Sequence, residues 1–196
     1  MKEKKSLLIL VCVLAVVLVL AAVGYRYLSR QYEPEQPEVT VQEETTEEAP
    51  TEETVEAPDF TVFTGNGEEV RLSDYAGKPV VINFWATWCG PCKSELPAFD
   101  RMYAAYGEEI QFLMVNLTDG QRETVEGVET FLEENGYTFP VFYDTEYSGA
   151  MAYGASSIPL TVFVLADGSL AGGYRGAITE EVLEQSIEIV LEASKK

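Results

Sequence analysis

The stretch FWATWCGPCKSELPAF, from Phe84 to Phe99, places two cysteines three residues apart, where an apolar run gives way to helix-forming residues. Such a junction lies at a helix N-terminus, where unpaired backbone N–H groups and the positive end of the helix dipole favour a thiolate over a thiol. We therefore expect Cys89 to be a redox nucleophile. Cys92 lies one helical turn further along the same face, close enough to resolve a mixed disulfide formed at Cys89.

Two other interpretations of a Cys-x-x-Cys pair are a zinc site and a structural disulfide. A zinc site needs four ligands, whereas the chain has no histidine and only one further cysteine, Cys12. We expect no bound metal, with a site shared between two chains as the remaining zinc alternative. A disulfide between Cys89 and Cys92 closes too short a loop to stabilise the fold much, so a redox role is favoured.

An apolar segment of seventeen residues, Leu7–Val23, follows three lysines near the N-terminus. At ~1.5 Å per residue it spans about 26 Å, and with Gly24 and Tyr25 it can cross the hydrocarbon core of a membrane. A cleaved signal peptide is the alternative, but its apolar core is shorter, about 7 to 15 residues. The preceding lysines predict a cytoplasmic N-terminus. Residues 1–30 are therefore predicted to form a single-pass cell-membrane anchor that inserts residues 7–25 and leaves the redox domain outside.

Residues 31–58 carry ten glutamates and four prolines but no lysine or arginine, which predicts a disordered, self-repelling linker. The following residues, 59–196, hold 22 acidic and 8 basic side chains, and the whole chain has a formal net charge of −20. Such an acidic surface makes nucleic acid an unexpected partner.

The last 138 residues, 59–196, are enough for one domain with a full core. Their pattern predicts an α/β fold, with helices on both faces of a mixed sheet. The predicted strands are Phe60–Thr64, Glu69–Leu72, Val80–Trp85, Ile110–Leu117, Phe139–Tyr143, Leu160–Leu165 and Ser169–Arg175. The predicted helices are Ser94–Tyr106, Thr124–Glu134, a weak one at Glu146–Tyr153 and a last one capped by Thr179.

The motif Trp88-Cys89-Gly90-Pro91-Cys92, preceded by VVINFWAT and followed by Ser157-Ile158-Pro159, resembles the active site of the thioredoxin superfamily. More narrowly, three features resemble the membrane-anchored TlpA/ResA group: the KSELP after the motif, the LSDYAGK near the start of the domain, and the additional helix predicted at Thr124–Glu134. The resemblance implies a thioredoxin-like fold and an extracytoplasmic thiol–disulfide oxidoreductase that reduces protein disulfides, such as those of apocytochrome c. It also implies a membrane-embedded electron donor of the CcdA type. We expect no cofactor besides the cysteines.

The resemblance also assigns roles to single residues. Pro159 matches a cis-proline that faces the cysteines and lets the backbone of Ile158 pair with an extended substrate strand. Glu95, three residues after Cys92, matches an acidic residue that would take the proton from Cys92. The alternative is that Glu95 is an exposed helix residue. Asn83 stands where thioredoxins have a buried aspartate, and since an amide cannot act as a base, we expect a hydrogen-bonding core residue.

The two residues between the cysteines, Gly90 and Pro91, are those of reducing thioredoxins, which have reduction potentials of about −270 mV. Strongly oxidising relatives have reduction potentials of about −120 mV. We therefore expect a reductant. One alternative is an antioxidant role as the electron donor of an extracytoplasmic methionine sulfoxide reductase or peroxidase. Another is a non-enzymatic binding module that uses the groove beside Pro159. Trp88 is expected to shield the cysteines or to form the docking surface, and Trp85 is expected in the core.

Overall fold

The computed structural model describes Leu18 and residues 54–195. The predicted anchor, apart from Leu18, and the predicted linker up to residue 53 lie outside the described residues, so both stay predictions. Within the described part of the chain, no helix is long and apolar enough to cross a membrane.

Residues 61–193 form an α/β domain around a seven-stranded mixed sheet with the strand order β2-β1-β5-β4-β3-β6-β7. The strands are β1 Thr61–Phe63, β2 Glu69–Arg71, β3 Val80–Trp85, β4 Gln111–Asn116, β5 Val141–Tyr143, β6 Leu160–Val164 and β7 Leu170–Arg175. The helices are α1 Gly90–Tyr106, α2 Val125–Asn135, α3 Ser148–Ala152 and α4 Glu180–Ala193, and a single 3₁₀ turn covers Leu72–Tyr75. The predicted thioredoxin-like arrangement is confirmed.

The central strand β3 determines where the cysteines lie. It pairs in parallel with β4 and antiparallel with β6, and all six of its residues are buried. A strand covered on both faces needs the continuous apolar sequence that predicted it. Because β3 ends at Trp85, the chain leaves the middle of the sheet four residues before Cys89.

Successive residues of β3 alternate between two cores, as the strand pleat requires. Val81 and Trp85 face a core that also takes in buried residues of α1, α2 and α4. Ile82 and Phe84 face a second core, which α3 and the 3₁₀ turn help to cover. Helices therefore pack on both faces of the sheet, as predicted.

Helix α1 begins at Gly90, four residues before the predicted start at Ser94. Cys89 is its N-cap residue, and Pro91 lies in the first turn, where a missing N–H leaves no hydrogen bond unmade. Helix α2 matches the prediction closely. Thr124 caps it through the N–H of Gly127, and Gly136 ends it with a left-handed φ of 69°.

Backbone pairing begins upstream of Asp59, the predicted start of the domain. The Ala57 N–H donates to the Gly168 carbonyl at 2.9 Å, and the Leu170 N–H donates to the Val55 carbonyl at 2.8 Å. The turn between β6 and β7 therefore holds the end of the predicted linker. Composition does not reveal such a pairing, because the partners lie more than a hundred residues apart in the chain.

Gly149 lies where α3 crosses two aromatic rings, and this contact gives a test of the second core. A Cβ added at Gly149 would lie 2.9 Å from Phe60 Cδ2 and 3.0 Å from Phe84 Cε1. We predict that Gly149→Ala lowers the free energy of unfolding by about 1 kcal/mol or more, since overpacking outweighs the gain in helix propensity. Urea unfolding measures the change.

The matched control for that prediction is Met151→Ala in the same helix, because the Met151 side chain is exposed. We expect this control to change the free energy of unfolding by no more than about 0.5 kcal/mol. A Gly149→Ala variant as stable as the wild type would contradict the packing described for α3.

Candidate active site

Cys89 and Cys92 are joined by a disulfide at the N-terminus of α1. Cys89 has an extended backbone, and its Sγ accepts a hydrogen bond from the Cys92 N–H at 3.2 Å. Cys92 is fully buried, whereas 5% of Cys89 remains exposed. The two sulfurs therefore differ in access, and a disulfide from another molecule would meet Cys89 first.

The helix start also provides the electrostatics that a reactive thiol needs. When the disulfide is reduced, the Cys92 N–H is placed to donate to a Cys89 thiolate at the positive end of the helix dipole. Charge-assisted hydrogen bonds of this kind are stronger than neutral ones. The arrangement therefore favours ionisation of Cys89 over ionisation of the buried Cys92.

The loop before β6 lies against the disulfide. The Ile158–Pro159 peptide bond is cis, and the Ile158 carbonyl oxygen lies 3.8 Å from Cys89 Sγ. Within residues 54–195 the Ile158 N–H makes no backbone hydrogen bond, whereas the Pro159 carbonyl accepts one from the Gly176 N–H at 2.8 Å. The backbone of Ile158 is therefore free to pair with an extended segment that approaches Cys89.

Glu95 is buried with 2% exposure, so the alternative of an exposed helix glutamate is wrong. One carboxyl oxygen, Oε1, accepts a hydrogen bond from Asn83 Nδ2 at 2.8 Å, and Oε2 accepts one from the Ile178 N–H at 2.8 Å. Burial raises the pKa of Glu95 to about 7, although both hydrogen bonds act to lower it. Glu95 can therefore gain or lose a proton near neutral pH.

Asn83 determines how Glu95 is held. Its Nδ2 donates both to Glu95 and to Thr161 Oγ1, the latter at 3.1 Å, so the prediction of a hydrogen-bonding core residue is confirmed. Its Oδ1 is buried, and among the described residues it has no partner. The two hydrogen bonds donated by Nδ2 therefore fix the orientation of the Asn83 amide, with its NH₂ group directed at the Glu95 carboxyl group.

A cleft of about 340 Å³ lies between α1 and the segment that leads into α4, and Glu95 forms part of its lining. Arg101 and Glu180 also line it and form a bidentate ion pair, with N–O distances of 2.8 and 2.5 Å. Glu95 lines this cleft although only 2% of the residue is exposed, and neither Cys89 nor Cys92 is among the lining residues. The cleft therefore lies beside Glu95 and not beside the disulfide.

The two tryptophans have different surroundings. Trp85 is fully buried against Phe131 and Phe139, which confirms the expected core position. Trp88 is 42% exposed, and the guanidinium carbon of Arg122 lies 4.2 Å from the centroid of its ring. A cation over an aromatic face is attracted by the ring's charge distribution. Trp88 and Arg122 therefore form an exposed surface next to Cys89.

Sequence reasoning missed Glu123, whose buried carboxyl group accepts hydrogen bonds from Thr87 and Asn116. It also missed Arg122, its neighbour. Both belong to the polar run TDGQRET, which resembles an ordinary loop before a helix cap. The one available signal was its position directly after the buried strand β4.

Comparison with known proteins agrees with this geometry. The model of the AhpC/TSA family matches residues 54–172. The thiol-disulfide oxidoreductase ResA of Geobacillus thermodenitrificans is 36% identical over 135 residues, which cover 68% of this chain and 75% of that protein. The thioredoxin-like protein YneN of Bacillus subtilis is 33% identical over 134 residues, which cover 68% of this chain and 78% of YneN.

Solved structures give the same result. The crystal structure of StoA from Bacillus subtilis superposes with a TM-score of 0.58 and 28% identity, covering 67% of this chain and 97% of StoA. The exposed lipoprotein thioredoxin Etrx1 of Streptococcus pneumoniae strain TIGR4 superposes with a TM-score of 0.58 and 28% identity, covering 67% of this chain and 98% of Etrx1. The chain therefore belongs to the thioredoxin-like AhpC/TSA family and, within it, to the ResA-type thiol–disulfide oxidoreductases.

Proposed function

We propose that this oxidoreductase reduces disulfides of extracytoplasmic proteins, with Cys89 as the nucleophile and Cys92 as the resolving cysteine. The observation that carries the proposal is the difference between the two sulfurs. Cys89 is slightly exposed and its Sγ accepts a hydrogen bond from the Cys92 N–H, whereas Cys92 is fully buried. A client can form a mixed disulfide with Cys89, and Cys92 can then reach that disulfide from inside the protein.

The reaction has two displacements. The Cys89 thiolate attacks one sulfur of the client disulfide, forms a mixed disulfide and releases the other client sulfur as a thiolate. Cys92 then loses its proton to Glu95 and attacks Cys89 Sγ, which forms the enzyme disulfide and releases the second client thiolate. Two electrons pass from the enzyme to the client, whose thiolates take up protons from water.

The client is proposed to lie as an extended segment along Ile158 and beside Trp88. The Ile158 N–H has no backbone partner within residues 54–195, and its carbonyl oxygen lies 3.8 Å from Cys89 Sγ. Backbone pairing of this kind binds extended segments largely independently of their sequence. A contact with the exposed ring of Trp88 would add apolar area beside the reacting sulfur.

The proposed location is the outer side of the cell membrane, with residues 7–25 as the anchor and the N-terminus in the cytoplasm. The apolar segment and its preceding lysines support it. The description of the similar protein Etrx1 as an exposed lipoprotein supports the outer-side location, but not the anchor at residues 7–25. In this location the clients would be proteins such as apocytochrome c, and the electrons would come from a membrane donor of the CcdA type.

The order of attack can be tested by trapping the mixed disulfide. We predict that Cys92→Ala in the full chain accumulates a covalent adduct with disulfide-bearing proteins, because Cys89 attacks but nothing resolves the product. Non-reducing electrophoresis shows the adduct, and dithiothreitol releases it. The matched variant Cys89→Ala is expected to form at least about tenfold less adduct, because its remaining active-site sulfur, that of Cys92, is buried. Equal trapping by the two variants would contradict the assigned order.

The proton affinity of Glu95 can be tested through stability. With the pKa of Glu95 raised from an ordinary 4.5 to about 7, the folded protein keeps the proton in a pH range where the unfolded chain has released it. The stability associated with this group is therefore fully present below about pH 4.5 and is lost as the pH rises through 7. We predict that Glu95→Gln gains roughly 3 kcal/mol relative to wild type between pH 4.5 and 8.

Urea unfolding of the oxidised protein at several pH values measures that gain. Glu184→Gln is the control, because Glu184 is exposed on α4. The same Glu95→Gln variant is expected to resolve mixed disulfides at least about tenfold more slowly, and without the wild-type rise in rate near pH 7. Parallel stability profiles for Glu95→Gln and wild type, or unchanged resolution, would contradict the role of Glu95 as proton acceptor.

A further inference from the structure

The proposed mechanism leaves one buried carboxyl group near the cysteines without a role. Glu123 is 1% exposed, and it lies in the loop between β4 and α2. Burying a carboxyl group is costly unless hydrogen bonds compensate, so its partners indicate why it is there.

Three hydrogen bonds surround Glu123. Oε1 accepts from the Thr87 N–H at 2.6 Å and from Asn116 Nδ2 at 2.7 Å, while Oε2 accepts from the Thr87 hydroxyl at 2.6 Å. Thr87 therefore gives both its backbone donor and its side-chain donor to a single carboxyl group. Thr87 lies in the turn between β3 and α1, two residues before Cys89.

The surroundings of Glu123 keep its carboxyl group in place. Asn116 is buried at the end of β4, and its Oδ1 accepts from the Thr118 hydroxyl at 2.8 Å, which directs its NH₂ group towards Glu123. Asp119 Oδ1 accepts from the N–H groups of Arg122 and Glu123 at 2.7 and 3.0 Å. Hydrogen bonds within the loop and to Asn116 therefore hold Glu123 in position.

The same loop contacts the turn at a second point, through Arg122 on the ring of Trp88. The turn itself is tight, because the Cys89 N–H donates to the Ala86 carbonyl at 3.1 Å. A turn held at Thr87, at Trp88 and by its own hydrogen bond leaves little freedom to the residue that follows. That residue is Cys89.

We propose that Glu123 is a positioning residue of the redox centre, which clamps the turn at Thr87 and so holds Cys89 where it can meet both a client and Cys92. The proposal rests on the function proposed above, in which Cys89 is the nucleophile. Displacement reactions at sulfur need an aligned approach, and a shift of about 1 Å in a reacting group can reduce rates by about 100-fold. Glu123 therefore acts through Thr87, since among the described residues its carboxyl group is hydrogen-bonded to Thr87 and Asn116 and to neither cysteine.

Two pairs of variants distinguish an effect of Glu123 on the position of Cys89 from a general loss of stability. Glu123→Gln keeps an acceptor oxygen for the Thr87 N–H and for Asn116, and its NH₂ group can donate to the Thr87 hydroxyl oxygen, whereas Glu123→Ala removes all three bonds. Thr87→Ser keeps the hydroxyl group, whereas Thr87→Val removes it while retaining the backbone donor. Asp144→Ala is the matched control, because Asp144 is a buried carboxyl group that accepts hydrogen bonds from the N–H groups of Gly149 and Ala150 in α3 rather than from the turn.

The experiment measures two rates in the reduced full chain: attack on a synthetic peptide disulfide, and alkylation of Cys89 by iodoacetamide in a Cys92→Ala background. The unfolding midpoint of every variant is recorded alongside. We expect Glu123→Ala to slow both rates about tenfold or more, Thr87→Val to slow them less, and Glu123→Gln and Thr87→Ser to remain within about threefold of wild type. Asp144→Ala is expected to lose stability with both rates unchanged.

The proposal is overturned if Glu123→Ala reacts at the wild-type rate in both assays. It is also overturned if Asp144→Ala, at the same loss of stability as Glu123→Ala, slows the reactions of Cys89 to the same extent. Should Glu123→Ala prove too unstable to purify, Thr87→Val decides by the same criteria. Failure of the proposed function is visible separately. The wild type would then leave the peptide disulfide intact, while alkylation of Cys89, which requires no client, still reports on the clamp.

Discussion

The site depends on the passage from the buried strand β3 into the first turn of α1. Since all six residues of β3 are buried between two neighbouring strands, the point at which the chain leaves the sheet cannot shift. Cys89 then becomes the N-cap of α1, and the Cys92 N–H points at its sulfur. The ionisation, the access and the spacing of the two cysteines all follow from this one connection.

Two buried carboxyl groups flank that connection, and their hydrogen bonds suit different tasks. Glu95 has two donors, and burial raises its pKa to about 7, which fits a group that exchanges a proton with Cys92. Glu123 has three donors, two of them from Thr87, which fits a group that holds the backbone in place. A single hydrophobic layer around the cysteines would provide neither the proton exchange nor the fixed turn.

Local signals in the sequence were enough for the strand β3, the cysteine pair, and both ends of α2, because each depends on residues a few positions apart. The resemblance to the TlpA/ResA group added Pro159 and Glu95. The clamp at Glu123, the cation over Trp88 and the pairing of Val55 and Ala57 with the β6–β7 turn were not predictable. Each joins segments that only the folded chain brings together, and a glutamate in a polar loop has no local feature that marks it as buried.

The most direct test of the reductase account is the reduction potential of the Cys89–Cys92 pair, measured by equilibrating the full chain with thiol–disulfide buffers and quantifying its two redox forms. With Gly90 and Pro91 between the cysteines, the account predicts a potential close to the value of about −270 mV found for reducing thioredoxins. A potential of about −120 mV, in the range of strong oxidants, would contradict it.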